Sequence, residues 1–210
     1  MKKLKAPSLV VKRKNRLQTE ERMKEGIGEI LEAFGHSEVT INKVFKHIGI
    51  AKTALYRDFT SFNNLIITYY ESIDFRLDLI TVDTAILTTE RLIDLLMDVI
   101  EKTYRSLMKS KIIREFMAWE LSDRTNLFKN TNKKREMIHL EFLQKIKPFL
   151  KDKAERFEIL YAIIYSSINS IVLESKVYPG THFGINISNE EKRIKLFATW
   201  RVLLTLALSE

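Results

Sequence analysis

The chain has no cysteine and only three prolines and six glycines among its 210 residues. Without cysteine, a disulfide framework, a thiolate nucleophile, an iron-sulfur cluster and the usual cysteine zinc sites are all excluded. Its histidines, His36, His47, His139 and His182, are scattered without metal-ligand spacing. A glycine-rich phosphate loop and a nucleophile elbow are also missing. Gly26-Ile27-Gly28 lacks a third glycine and a preceding strand, and His139-Leu140-Glu141, half of a zinc-deaminase motif, has no cysteines to complete it. No cofactor, metal or enzymatic activity is expected. The longest mostly apolar run, about residues 160 to 173, is broken by Ser166, Ser167, Asn169 and Ser170 and falls short of the ~20 residues that span a bilayer. Leu9-Val10-Val11 is followed at once by Lys12-Arg13-Lys14, too short for the apolar part of an export signal. A soluble, cytoplasmic protein with no membrane partner is the expectation.

What is present points to helices. Glycine and proline are both absent from residue 50 through residue 147, a stretch that reads as helix after helix joined by polar turns. The expected fold is all-α, with about nine helices. Residues 1 to 16 carry seven Lys or Arg and no acid and read as a disordered basic arm. Thr19 can cap a first helix whose opening turn holds Glu20 and Glu21, with Met23, Ile27, Ile30, Leu31 and Phe34 on one face. Thr40 can cap a short second helix that closes at Gly49, and a third runs over residues 51 to 58. Longer helices follow over 61–80, 89–109, 111–122, 129–149, 152–176 and 188–208, with a loop at 177–187 that holds Pro179, Gly180 and Gly184.

From Thr40 to Phe59 the chain is therefore a short helix, a glycine turn and a second short helix, the helix-turn-helix arrangement. Ile41, Val44, Ile48, Ile50 and Leu55 can fix the angle between the two helices. Lys52, Thr53, Tyr56 and Arg57 remain for a duplex: the cations for phosphates or guanine edges, Thr53 for a base, the Tyr56 hydroxyl for a phosphate. The Thr40 hydroxyl beside the free amides of the second helix offers another phosphate contact, and Asn42 and His47 complete the expected DNA-binding set. The net charge of +8 suits an anionic partner. Residues 17 to 60, however, hold six Lys or Arg against seven acids, so the local positive charge sits mostly in the arm.

The run from Thr40 through Leu65 resembles the N-terminal domain of TetR-family transcriptional regulators. The family pattern of a threonine, an Ile-Ala pair, a Gly-Val-Ser turn, a Leu-Tyr pair, an aromatic-ended helix and Ser-Lys is met here by Thr40, Val44-Phe45, Gly49-Ile50-Ala51, Leu55-Tyr56, Phe59 and Ser61-Phe62. The chain departs from it at Phe45, at Ala51, which cannot cap the recognition helix as serine does, and at Phe62, where the lysine is lost.

The resemblance implies a helix-turn-helix domain over 17–62 and a larger helical domain over 63–210 for dimerisation and ligand binding. It implies a homodimer on a palindromic double-stranded operator, with recognition helices roughly 34 to 36 Å apart, acting as a repressor that a small-molecule effector releases. Dimer contacts are expected from the apolar stripes of the last two helices, at Tyr161, Tyr165, Ile168, Val172, Phe197, Trp200 and Leu204. Pocket lining is expected from Tyr104, Phe116, Trp119 and Phe142 in the middle helices. Lys133-Lys134-Arg135 reads as a solvated basic run.

Overall fold

The computed structural model describes residues 9–78, 80–177 and 181–209. Its α-helices are α1 (Leu9–Phe34), α2 (Ile41–Ile48), α3 (Thr53–Asp58), α4 (Phe62–Ile73), α5 (Thr89–Lys109), α6 (Lys111–Ser122), α7 (Lys129–Leu150), α8 (Ala154–Val177) and α9 (Glu190–Leu208). Among the described residues there is no strand, only an isolated bridge between His182 and Ile185. The fold is all-α, as the sequence predicts. The described residues divide into two compact units: one runs up to Ile73 and adds Glu115–Lys129, the other takes those of Asp74–Arg114 and those from Asn130 onward.

In the first unit, Met23, Ile27, Ile30 and Leu31 recur at helical spacing along α1 and are all buried. They pack on α2, α3 and α4. Thr40 caps α2 by accepting the Lys43 N–H at 3.3 Å, and Gly49 ends it at φ 68°, a left-handed conformation that glycine adopts without a Cβ clash. Helix α3 opens without a side-chain cap, since Ala51 offers no oxygen and Lys52 stands in the cap position. Leu55 and Phe59 anchor it in the core. Where α1 passes α2, a Cβ at Gly26 would overlap Cγ2 of Ile48, so the close approach requires glycine.

Two expectations change here. Helix α1 begins at Leu9 rather than after Thr19, so residues 9–16 are helical and not a disordered arm; residues 1–8 lie outside the described residues. The Thr19 hydroxyl donates to the Asn15 carbonyl at 2.9 Å, an interior helical contact, and the Arg16–Glu20 pair at 2.9 Å adds one turn of support. The compact unit is also wider than 17–62, because an aromatic cluster ties α4 to α6. The Tyr70 ring stacks on Phe116 at 4.3 Å, Phe116 lies parallel to Trp119 at 6.0 Å, and Phe128 meets Tyr70 edge-on at 5.4 Å. The Tyr70 hydroxyl, which burial would otherwise strand, donates to Glu120 at 2.8 Å.

The second unit is built on α5, α8 and α9, which pack against one another. Leu92, Leu96, Ile100 and Leu107 of α5 meet Phe157, Ile164, Ile168 and Val172 of α8 and Trp200 and Leu204 of α9 in its buried core. Thr88 caps α5 and Asn189 caps α9, by accepting the N–H groups of Arg91 (3.2 Å) and Lys192 (3.0 Å). The helix expected over 61–80 stops at Ile73, where the Asp74 carboxylate takes the N–H of Arg76 at 3.1 Å and turns the chain into the 3-10 segment Phe75–Leu77. By length and composition alone, the helical run over 129–175 could cross a membrane. Within that run Phe142, Ile146, Phe157, Ile164 and Ile168 are buried in this unit, while Met137, Leu140, Ile159 and Ile163 are exposed.

Candidate nucleic-acid interface

Helical spacing places Lys52, Thr53 and Tyr56 on one side of α3, and all are exposed, Tyr56 to 65 %. Lys52 donates through Nζ to Oδ1 of Asn42, which ties the start of α3 to the first turn of α2. Asparagine is neutral, so the lysine charge stays uncompensated. Thr40 beside it is exposed, and its hydroxyl proton is not used by the cap. These five residues form the exposed surface that sequence reasoning assigned to DNA. Lys46 was missed: it lies one helical turn after Asn42, is exposed, and has no ion-pair partner among the described residues. The i, i+4 spacing from Asn42 was the available signal.

Arg57 and His47 are held differently from the expectation. The Arg57 guanidinium grips Asp58 through Nε (2.8 Å) and Nη2 (2.5 Å), and Arg16 adds its Nε at 2.9 Å to the same carboxylate, whose side chain has no exposure. The bonds from Arg57 hold the Asp58 carboxyl below its ordinary range, against the opposing effect of burial. His47 Nε2 lies 2.5 Å from Oε2 of Glu29, which also receives Arg22 Nη1 at 2.6 Å. Those two partners, Arg22 foremost, lower the Glu29 carboxyl. Lys43 likewise pairs with Glu38 at 2.8 Å and sits over the Phe34 ring. Among the described residues of this surface, Lys46 and Lys52 are cations with no acidic partner.

The residues expected at the dimer interface lie inward. Ile168 and Val172 are fully buried, Tyr161, Trp200 and Leu204 are buried, Phe197 meets Tyr104 edge-on at 5.5 Å, and Tyr165 is half-buried 4.5 Å from His139. Helices α8 and α9 are apolar on more than one side, and the bulkier side fills the core. Their other sides leave Ile159 and Ile163 on α8, and Ile194, Ala198, Val202 and Leu206 at strict four-residue spacing on α9, all exposed.

The four expected pocket residues do not share a pocket. Phe116 and Trp119 belong to the aromatic cluster of the first unit, while Tyr104 donates to the Ile187 carbonyl at 3.2 Å and Phe142 packs on Tyr161 in the second. They fill space rather than line it. The second unit instead contains a cavity of about 370 Å³ walled by α7, α8 and Arg76, and a smaller one of about 150 Å³ that shares Arg76, His139 and Tyr165 and reaches α5. His139 Nδ1 is 2.7 Å from the Tyr161 hydroxyl. Burial pushes the imidazole down and the phenol up, so both rings stay uncharged near neutrality. Arg135 is not part of a solvated run: its Nε lies 3.6 Å from Asp74, and its side chain is almost enclosed. No cluster of three or more metal-binding side chains occurs among the described residues.

Comparison of the chain with protein-family models, with curated proteins and with solved structures returns no match.

Proposed function

We propose that this chain is a sequence-specific DNA-binding regulator of the TetR type, a homodimer that represses by occupying a palindromic operator and leaves it when a small molecule binds. The observation that carries the proposal is the capped helix, left-handed glycine and second helix of residues 40 to 58, docked on α1, with Asn42, Lys46, Lys52, Thr53 and Tyr56 exposed. Such a pair puts the start of the second helix within reach of base edges while the first braces it. Two protomers joined through the exposed stripes of α8 and α9 would present two such helices to one face of the duplex. Ile163→Asp is then expected to turn dimers into monomers in sedimentation without loss of helical signal. Acting on DNA in this way, the protein would work in the cytoplasm.

The test is selection of bound fragments from random duplex DNA, followed by a salt titration of the best site with wild type and Tyr56→Phe. A palindromic site, bound more weakly as salt rises and more weakly by the variant, is the expected result. Recovery of no preferred site contradicts the proposal.

A second reading, a helical protein-interaction module that has lost DNA binding, is favoured by one observation: Arg57 is committed to Asp58 on a recognition helix that lacks a cap. Absence of binding to any duplex at moderate salt would support that reading.

A further inference from the structure

The cavity between α7 and α8 has its charges balanced from within. Arg76 reaches Asp74 through Nε at 2.8 Å and Nη2 at 3.1 Å, Arg135 approaches the same carboxylate, and Glu158 has Lys147 at 3.9 Å. Glu136, on the rim, is exposed to water. An ionic ligand would displace one of these arrangements or meet a like charge. The walls between them are aromatic and uncharged. His139 stands with Tyr165 at 4.5 Å and Tyr161 at 5.8 Å between ring centroids, and Leu140 and Leu143 add aliphatic surface.

Arg135 Nε makes no hydrogen bond here but stands 3.6 Å from the Asp74 carboxylate, whereas a neutral acceptor of the same lining has no such charge facing it. Asn169 donates through Nδ2 to the Tyr165 carbonyl at 3.0 Å, which fixes the orientation of its amide, because the reverse would set oxygen against oxygen. Its Oδ1 is buried and receives no hydrogen bond from the described residues. A buried acceptor without a donor is costly, so such atoms generally mark a place for water or ligand.

The geometry points to a binding site for an uncharged, flat aromatic ligand that carries one N–H or O–H donor, its rings against Tyr161 and Tyr165 and its donor on Asn169 Oδ1. A volume of about 370 Å³ suits a single molecule of two or three rings. As the effector site of a regulator this inference rests on the function proposed above. As a binding site it is tested without DNA, so it can fail while operator binding succeeds, and the reverse.

Fluorescence titration of the full chain with 2-phenylindole, with its 1-methyl derivative and with 2-naphthoate makes the test. The N–H compound is expected to bind about three- to tenfold more tightly than the methylated one, the range of one hydrogen bond to a buried acceptor. The anion is expected to bind more weakly than either. In Asn169→Leu, checked for folding by circular dichroism, the two indoles should bind with equal affinity, since the substitution removes the acceptor and keeps the bulk. Equal affinity of the two in wild type, a difference that survives in Asn169→Leu, preference for the anion, or no saturable binding would each overturn the inference.

Discussion

In the first unit, short helices are placed by local chemistry: Thr40 starts α2, Gly49 ends it, and Gly26 admits it against α1. In the second, long helices are placed by burial, and the side of α8 and α9 that turns inward is decided by which apolar stripe fits the core. Local signals of the first kind are written at single residues. A choice between two apolar sides of one helix is not, because both satisfy the same periodicity.

The contrast breaks most visibly at Phe116. A residue lining an empty pocket could be truncated cheaply, whereas one stacked between Tyr70 and Trp119 could not. Phe116→Ala is expected to lower unfolding stability by about 3–5 kcal/mol in urea titration. A loss near zero would return it to the pocket. Gly26→Ala should cost about 1–3 kcal/mol by the same measurement, because the branched Ile48 side chain has few rotamers in which to yield. Stabilisation by the alanine, as helix propensity alone would give, would show that α1 and α2 are not in close contact.

Thr40→Ala removes the cap and should cost about 1 kcal/mol. The same change made at Thr19 should cost less, since Thr19 bonds a carbonyl inside α1 and caps nothing. That pair of variants separates the two threonines, which the sequence presents as equivalent cap candidates.

The smallest expected effect belongs to the second unit and to pH. Burial lowers the His139 pKa in the folded state below its ordinary 6.5. As pH falls below that value the unfolded chain takes up the proton first, so the stability that His139 contributes is present above 6.5 and is lost as pH falls through the folded-state pKa. Between about pH 7 and about pH 5, His139→Gln should show a flatter dependence of denaturation midpoint on pH than wild type. Parallel curves would mean that the imidazole is solvated.

Much of the fold was legible in advance for the reasons these variants probe. The all-helical character followed from a hundred-residue scale absence of glycine and proline, and α2, its cap and its glycine stop fell where residue types dictate. The end of α4 at Ile73 was not legible, because it depends on Asp74 finding Arg76 and Arg135, the latter far along the chain. The start of α1 was missed because a run of positive charge reads as disorder, although lysine, arginine and leucine are good helix formers. In the candidate interface, exposure of Lys52, Thr53 and Tyr56 followed from helical spacing, while the capture of Arg57 by Asp58 and of His47 by Glu29 required knowing which acids face them. The cavity beside Asn169 had no sequence signature, since its walls come from Arg76 and two separate helices.

The most direct test of DNA recognition is the salt dependence of binding to a selected duplex and to a scrambled one, measured for wild type and for Lys46→Ala. The regulator account predicts tighter binding to the selected duplex at every salt concentration, and a slope of log affinity against log salt that falls by about one for the lysine variant on both duplexes. Equal affinity for the two duplexes, or a slope that Lys46→Ala leaves unchanged, would contradict it.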